Sequence, residues 1–500
     1  MKKILIKLSF IIMLNLVFGC SNFLDEENLS NYTQDNYFKE SSHAEASINA
    51  IYSTLRFVNG GGDFYGESPF MMLEFPTGLA NTEVGQSQNN NTLRTLTADA
   101  DNSYVYNWWR NSYLGISNAN LSIARIPELE MDEKLKLKLL GEAYFLRAFY
   151  YYNLVRIFGD IPLIINPVDA NSTDLYPKRT DQKLVYEQII SDLIVAEKSG
   201  LPETSSTGRV SLGAVKSFLS SVYLTMAGYP LNLGKPYYTL AAQKSKEVLD
   251  KNWYQLFANY KDLRNKSNEN KGEFIFQNQY YTGIATTPIT SLLLPRYRRI
   301  SKFTEEVGAL FVNQNFINSY DKNDERIKEQ QYFFTEYPSI SAPSEQVKFG
   351  GTYIFKYFDE EAALNTVQND LNWTFMRLPE VLLIYAEAIN ESLGGPNATA
   401  YEAVNKIRRR AKLPDLNSLS QEEFREEVWK ENYYELCFEN KTWFTMARTR
   451  KVFNTTNKKF DNFDSHTFTY GPKLSSKYLL FPIPQREINN NKLLTQNPGW

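Results

Sequence analysis

The chain has 500 residues, with 54 Lys and Arg against 57 Asp and Glu and a formal net charge of −3. That balance offers no basic face for nucleic acid. Two cysteines and two histidines in this length leave little for a disulfide framework, a histidine metal site or histidine-based catalysis. The 43% of apolar residues is enough for a sizeable core.

Met1-Lys2-Lys3 and Lys7 give a basic start, followed by a mostly apolar run from Leu8 to Phe18. The run falls short of the about 20 residues that cross a bilayer. A basic region, a short apolar run and the small Gly19 predict a secretory signal over 1–19. Val17-Phe18-Gly19-Cys20 resembles a bacterial lipoprotein box, although Phe18 is bulkier than the usual residue. That resemblance implies that Cys20 carries acyl chains and begins a mature chain of residues 20–500, tethered to a membrane. Cys437, in "YYELCFEN", is then left without a disulfide partner and is expected as a small buried group on a helix.

Helical periodicity dominates the chain beyond this segment. Ile48, Ile51, Tyr52 and Leu55 mark a helix over 44–57. Residues 59–106 lose the period, are rich in Gly, Asn, Thr and Ser, and read as long loops forming a functional surface. Trp109, Tyr113, Ile116, Asn120 and Ile123 restore a helical face. Leu139, Ala143, Leu146, Tyr150, Leu154 and Ile157 continue it, and Gly159 with Pro162 stops that helix. Further helices are predicted over 181–199, 211–227, 237–250, 377–391, around 403–411 and over 421–437. Residues 255–376 are mixed, with "FIFQNQYY" and "TYIFKYF" as short strands or extended loops, and the Pro-punctuated tail 470–500 reads as extended. Short helix pairs with small residues at their crossings resemble divergent tetratricopeptide repeats. The expected fold class is mainly α: a single domain in which a helical scaffold presents long irregular loops and a few short strands.

Several motifs in order carry a family resemblance. They are "SNFLDEENLSNYTQDNYF", "WRNSYLGISNANLSI", "GEAYFLRAFYYYNLVRIFGDIPLI", "GRVSLGAVKSFLSSVYLTMAG", "RLPEVLLIYAEAINE", "AVNKIRRRAKLP", "EEVWKENYYELCFENKTWFTMAR" and "LLFPIPQREINNNKLLTQNPGW". The chain resembles the SusD/RagB family of outer-membrane nutrient-binding lipoproteins. The resemblance implies a non-catalytic, surface-exposed protein that captures oligosaccharides, or peptides in some members, over a TonB-dependent transporter of the SusC/RagA type. The acidic Leu24-Asp25-Glu26-Glu27 is similar to the surface-export signal of Bacteroidetes lipoproteins. One departure stands out: Glu439-Asn440-Lys441-Thr442 replaces the family's Glu-Gly-x-Arg, implying a turn made without an unusual backbone angle. The loop 59–106 has no Trp, so a starch-type aromatic arc is not supported.

The 33 Tyr, 32 Phe and 7 Trp, with abundant Asn, suit a binder of sugars, whose C–H faces stack on rings. An AT-rich genome produces the same composition. Helical aromatics are expected in the core. The ligand-binding candidates are therefore the loop aromatics Tyr65, Tyr280, Tyr281, Tyr297 and Trp373, with polar contacts from Asn81, Glu83, Gln86 and Gln88. The Gly-rich "GGGDFYG" at 60–66 reads as a flexible loop rather than a phosphate cradle. "DADN" (99–102) and "DKND" (321–324) offer oxygen-rich turns for calcium, but neither has the full loop pattern and solvated turns are favoured. Rival readings are a helical glycoside hydrolase, which needs two placed carboxylates, and a repeat scaffold binding only proteins.

Overall fold

A computed structural model describes residues 37–169, 172 and 175–500. The signal segment 1–19, Cys20 and the acidic run 24–27 lie outside the described residues.

The periodic stretches form helices with sequence-encoded ends. α1 (Ser41–Thr54) is succeeded, after the loop region, by α2 (Gln88–Arg94) and α3 (Ser103–Arg125). α3 starts six residues before the predicted face at Trp109, because the Asn102 side chain accepts from the Tyr104 N–H and caps it, and Tyr104 and Val105 are buried in its first turn. α4 (Glu133–Phe158) is capped by Asp132 at one end and ends at Gly159, whose φ of 73° lies in the left-handed region. α5 (Gln182–Glu197), α6 (Leu212–Ala227) and α7 (Lys235–Leu249) come next, each packed on its predecessor. Gly115 on α3 explains the close α3–α4 crossing, since a Cβ there would sit 2.3 Å from the Tyr150 ring. The C-terminal half adds α8 (Leu378–Leu393), which packs against α7, then α9 (Ala398–Arg410), α10 (Gln421–Leu436) and α11 (Thr442–Thr449).

Among the described residues the strands make four separate two-stranded antiparallel pairs. β1 (Ala80–Asn81) pairs with β3 (Phe311–Val312), and β2 (Phe274–Asn278) with β6 (Trp373–Arg377). β4 (Phe333–Pro338) pairs with β5 (Gln346–Ile354), and β7 (Lys451–Asn454) with β8 (Lys459–Asn462). The β1–β3 pair clamps the loop after α1 to the segment before residue 311. The tail is less extended than its prolines suggest: Gln485–Asn490 forms a helical turn and a half.

The loop region 59–106 divides in two. Met71, Met72, Leu73 and Phe75 are fully buried in short 3₁₀ turns, so this part belongs to the core rather than to a functional surface. It is tied down by Glu74, whose Oε1 accepts from both the backbone N–H (2.7 Å) and the Nδ2 (2.9 Å) of Asn440. Asn440 Nδ2 also donates to the Phe70 carbonyl. The turn at 440 corrects the expectation of ordinary backbone angles: φ is 57°. Asparagine is among the few non-glycine residues that enter this region readily, and its side chain uses the position to hold Glu74.

Beside this contact runs a buried ionic network. Arg377 binds Glu273, Glu435 and Glu439, and Arg410 binds Glu273 and Glu435. Burial alone would raise the Glu435 pKa, but Arg410, Arg377 and Arg326 hold it well below the usual carboxylate range. Removing one member would strand a buried charge at a cost of about 3–5 kcal/mol. Cys437 is fully buried next to it, and burial pushes its thiol up to about 11. Among the described residues no helix is long and apolar enough to cross a membrane.

Candidate functional site

The exposed half of the loop region forms a groove. At its base the turn 62–67 closes through Gly62 N–H to Glu67 O (2.8 Å). Glu67 is buried; its two oxygens accept from Ser87 Oγ and Asn89 Nδ2, both at 2.8 Å. Asn89 reaches on to Ser103 Oγ at 2.9 Å, and Asn90 bonds the Gly66 carbonyl and the Tyr104 hydroxyl. These amides stitch the turn, the start of α2 and the start of α3 into one rigid support. Above it opens a cleft of about 600 Å³, walled by Phe64 and Tyr65 on one side and by Gln86, Gln88, Asp99 and Asp101 elsewhere. That volume is within the range of small-ligand clefts.

A second segment extends the aromatic wall. Tyr65 Oη donates to Glu305 Oε1 at 2.8 Å. Partial burial and the Glu305 carboxylate push the Tyr65 hydroxyl up to about 12, so it stays protonated and able to donate. Tyr297 projects into solvent, 68% exposed, with the Arg296 guanidinium 4.9 Å from its ring centroid. The chain can hold a tyrosine at φ 55° here because its neighbours are pinned. Glu83 accepts from the Arg296 N–H (2.7 Å) and the Tyr353 hydroxyl (2.7 Å), while Glu306 accepts from the N–H groups of Arg299, Ile300 and Ser301. The β1–β3 clamp and the Glu83 N–H bond to Gly308 O (2.8 Å) set the spacing of the two segments.

The structure thus brings together Tyr65, Gln86 and Gln88, with Tyr297 on the neighbouring loop. Glu83 is half-buried and committed to holding that loop. Asn81 sits in β1, its Oδ1 accepting from the Thr82 N–H. Two candidates are corrected. Trp373 is 1% exposed: it lies in β6 and stacks on Tyr357 at 4.8 Å, because a strand paired on β2 turns it into the core. Tyr280 is also buried, its hydroxyl donating to Asn59 Oδ1 at 2.8 Å. Neither ring is open to a ligand. Tyr281 is exposed but does not line the groove. It sits on a separate hairpin held by Asp370 and Gln368 through Thr282 and Gly283.

Sequence reasoning does not single out Phe64, which is 69% exposed, nor Arg296 and Glu305. A signal for Phe64 is present: two aromatics inside a Gly-rich polar loop cannot both be satisfied by local packing. Of the two oxygen-rich turns, the Asp99 carboxylate accepts from the Asp101 N–H and Asp324 pairs with Arg326. Among the described residues no group of three His, Cys, Asp or Glu is arranged to hold a metal.

Comparison with known proteins agrees with the helical architecture. The model described as "SusD family" matches residues 244–500, and one described as "Starch-binding associating with outer membrane" matches residues 22–224. SusD-like protein P2 of Formosa agariphila is 29% identical over an alignment covering 99% of each chain. The crystal structure of a SusD superfamily protein from Parabacteroides distasonis has a TM-score of 0.89 at 39% identity, covering 94% of this chain and 100% of that one. A laminarin-binding SusD-like protein shares the fold at a TM-score of 0.75 and 23% identity, covering 93% of this chain and all of the other.

Proposed function

Because the chain belongs to the SusD family of outer-membrane-associated binding proteins, we propose that it captures a glycan in the groove beside Tyr65 and Tyr297. In this reading it passes the glycan to a SusC/RagA-type TonB-dependent transporter and is held at the cell surface by acylated Cys20. The observation that carries the reading is the cleft of about 600 Å³, where exposed rings and amide side chains face the same opening on a pinned support. Rings stack on sugar faces while Gln86 and Gln88 meet hydroxyls. This is recognition, and no covalent step is needed. The rigid base means little ordering entropy is lost on binding, which favours affinity.

The test is direct. Purified protein is titrated with a panel of polysaccharides, laminarin among them, and the products are examined for chain length. Binding without shortening is expected. Replacing Tyr65 and Tyr297 together with Ala should weaken binding at least tenfold with unchanged helicity. Glycan shortening, or unaltered affinity of the double variant, would overturn the assignment. Binding of oligopeptides alone would favour a RagB-like peptide carrier.

A further inference from the structure

Of the acidic and basic side chains, only acidic ones line the groove. Glu67, Asp99 and Asp101 face it, and neither Lys nor Arg is among the lining residues. The aromatic wall adds Glu305 at the Tyr65 hydroxyl and Glu83 behind it. Arg296, beside the aromatic wall, is committed: its Nη1 donates to the Glu83 carbonyl and its guanidinium lies over Tyr297. Arg298, on the same loop, donates to the Phe349 carbonyl instead of the groove. Glu67 cannot swing away, because Ser87 and Asn89 hold both of its oxygens. The exposed Gln86 and Gln88 add amides suited to hydroxyls.

We infer that this groove selects uncharged glycans and rejects polyuronates and sulfated chains. The inference rests on the glycan-binding reading and adds its substrate class. A carboxylate or sulfate on a chain bound in the cleft would lie within a few ångströms of these carboxylates, with no Lys or Arg among the lining residues to offset the repulsion. At that separation, and at the intermediate dielectric of a surface cleft, each such charge weakens binding about tenfold. A neutral chain feels none of this, so its affinity is insensitive to salt.

The experiment uses the full chain with two neutral probes, laminarin and starch, and two anionic ones, polygalacturonate and chondroitin sulfate. Affinities are measured at low and at physiological salt. The expected result is binding confined to the neutral class, with less than a twofold change in Kd on adding salt. The double substitution Asp99→Asn with Asp101→Asn should raise the ratio of anionic to neutral affinity at least tenfold. Anionic probes bound as tightly as neutral ones by the unaltered protein would overturn the charge inference and leave glycan capture standing, as would a ratio unmoved by the double substitution. Absence of binding to every probe in both classes would overturn glycan capture itself, and this inference with it.

Discussion

Glu74 links the buried half of the site-bearing loop to the scaffold, and it carries a pH dependence whose sign is fixed by the structure. Burial raises its pKa from 4.5 to about 7, even though the hydrogen bonds from Asn440 act in the opposite direction. Its second oxygen, Oε2, has no partner. A carboxyl with a raised pKa in the folded state binds more protons folded than unfolded, so its contribution to stability falls as pH rises between the two values. At 1.36 kcal/mol per pH unit the complete loss is about 3 kcal/mol, of which about 2 kcal/mol accrues between about pH 5.5 and about pH 8. Glu74→Gln keeps an acceptor for Asn440 and removes the titration. The variant should therefore gain about 2 kcal/mol on the parent protein over that interval. Chemical denaturation at each pH is the suitable assay. With about 2 cal/mol/K of unfolding entropy per residue, a chain of this length converts the same energy into a Tm change of only about 2 °C. An equal stability difference between variant and parent at both pH values would show that Glu74 is ionised when buried, and the argument would fail.

Trp373→Ala should cost about 3–5 kcal/mol of stability, the range for removing a large buried aromatic. A thermal or denaturant melt checks this, and a lowered glycan affinity with normal stability would contradict its burial against Tyr357. Asn440→Ala should destabilise by about 2–3 kcal/mol, combining a left-handed backbone penalty with lost donors to Glu74 and Phe70. Asn440→Gly should recover about 1 kcal/mol of that, because glycine enters the left-handed region without a Cβ clash; equal losses for the two would remove the backbone argument. Cys20→Ala should move the protein from the membrane to the soluble fraction, and unchanged fractionation would refute lipid anchoring.

The helices were legible because burial of one face imposes a 3.6-residue period that is written locally. Gly159 and Asn102 show that the ends were legible too, since a cap satisfies backbone groups within a few residues of itself. The candidate site was legible only in part. Tyr65 and Tyr297 are separated by more than two hundred residues in the chain, and the β1–β3 clamp and the Glu83 contacts bring their two segments side by side. Trp373 sits in a polar run that looks like a loop. Its burial depends on Phe70 and Tyr357, which no local pattern near 373 reveals.

By itself the sequence determined the helical scaffold, the ordered motifs of the family and the supply of ring-bearing loops, since each is a local or linear property. The tertiary structure decided which loops face water and which are core, that Asn440 takes a left-handed turn to hold Glu74, and that acidic residues but no Lys or Arg line the cleft. Those outcomes arise from contacts between distant segments, and their energies depend on what surrounds a residue in space rather than on what precedes it in the chain.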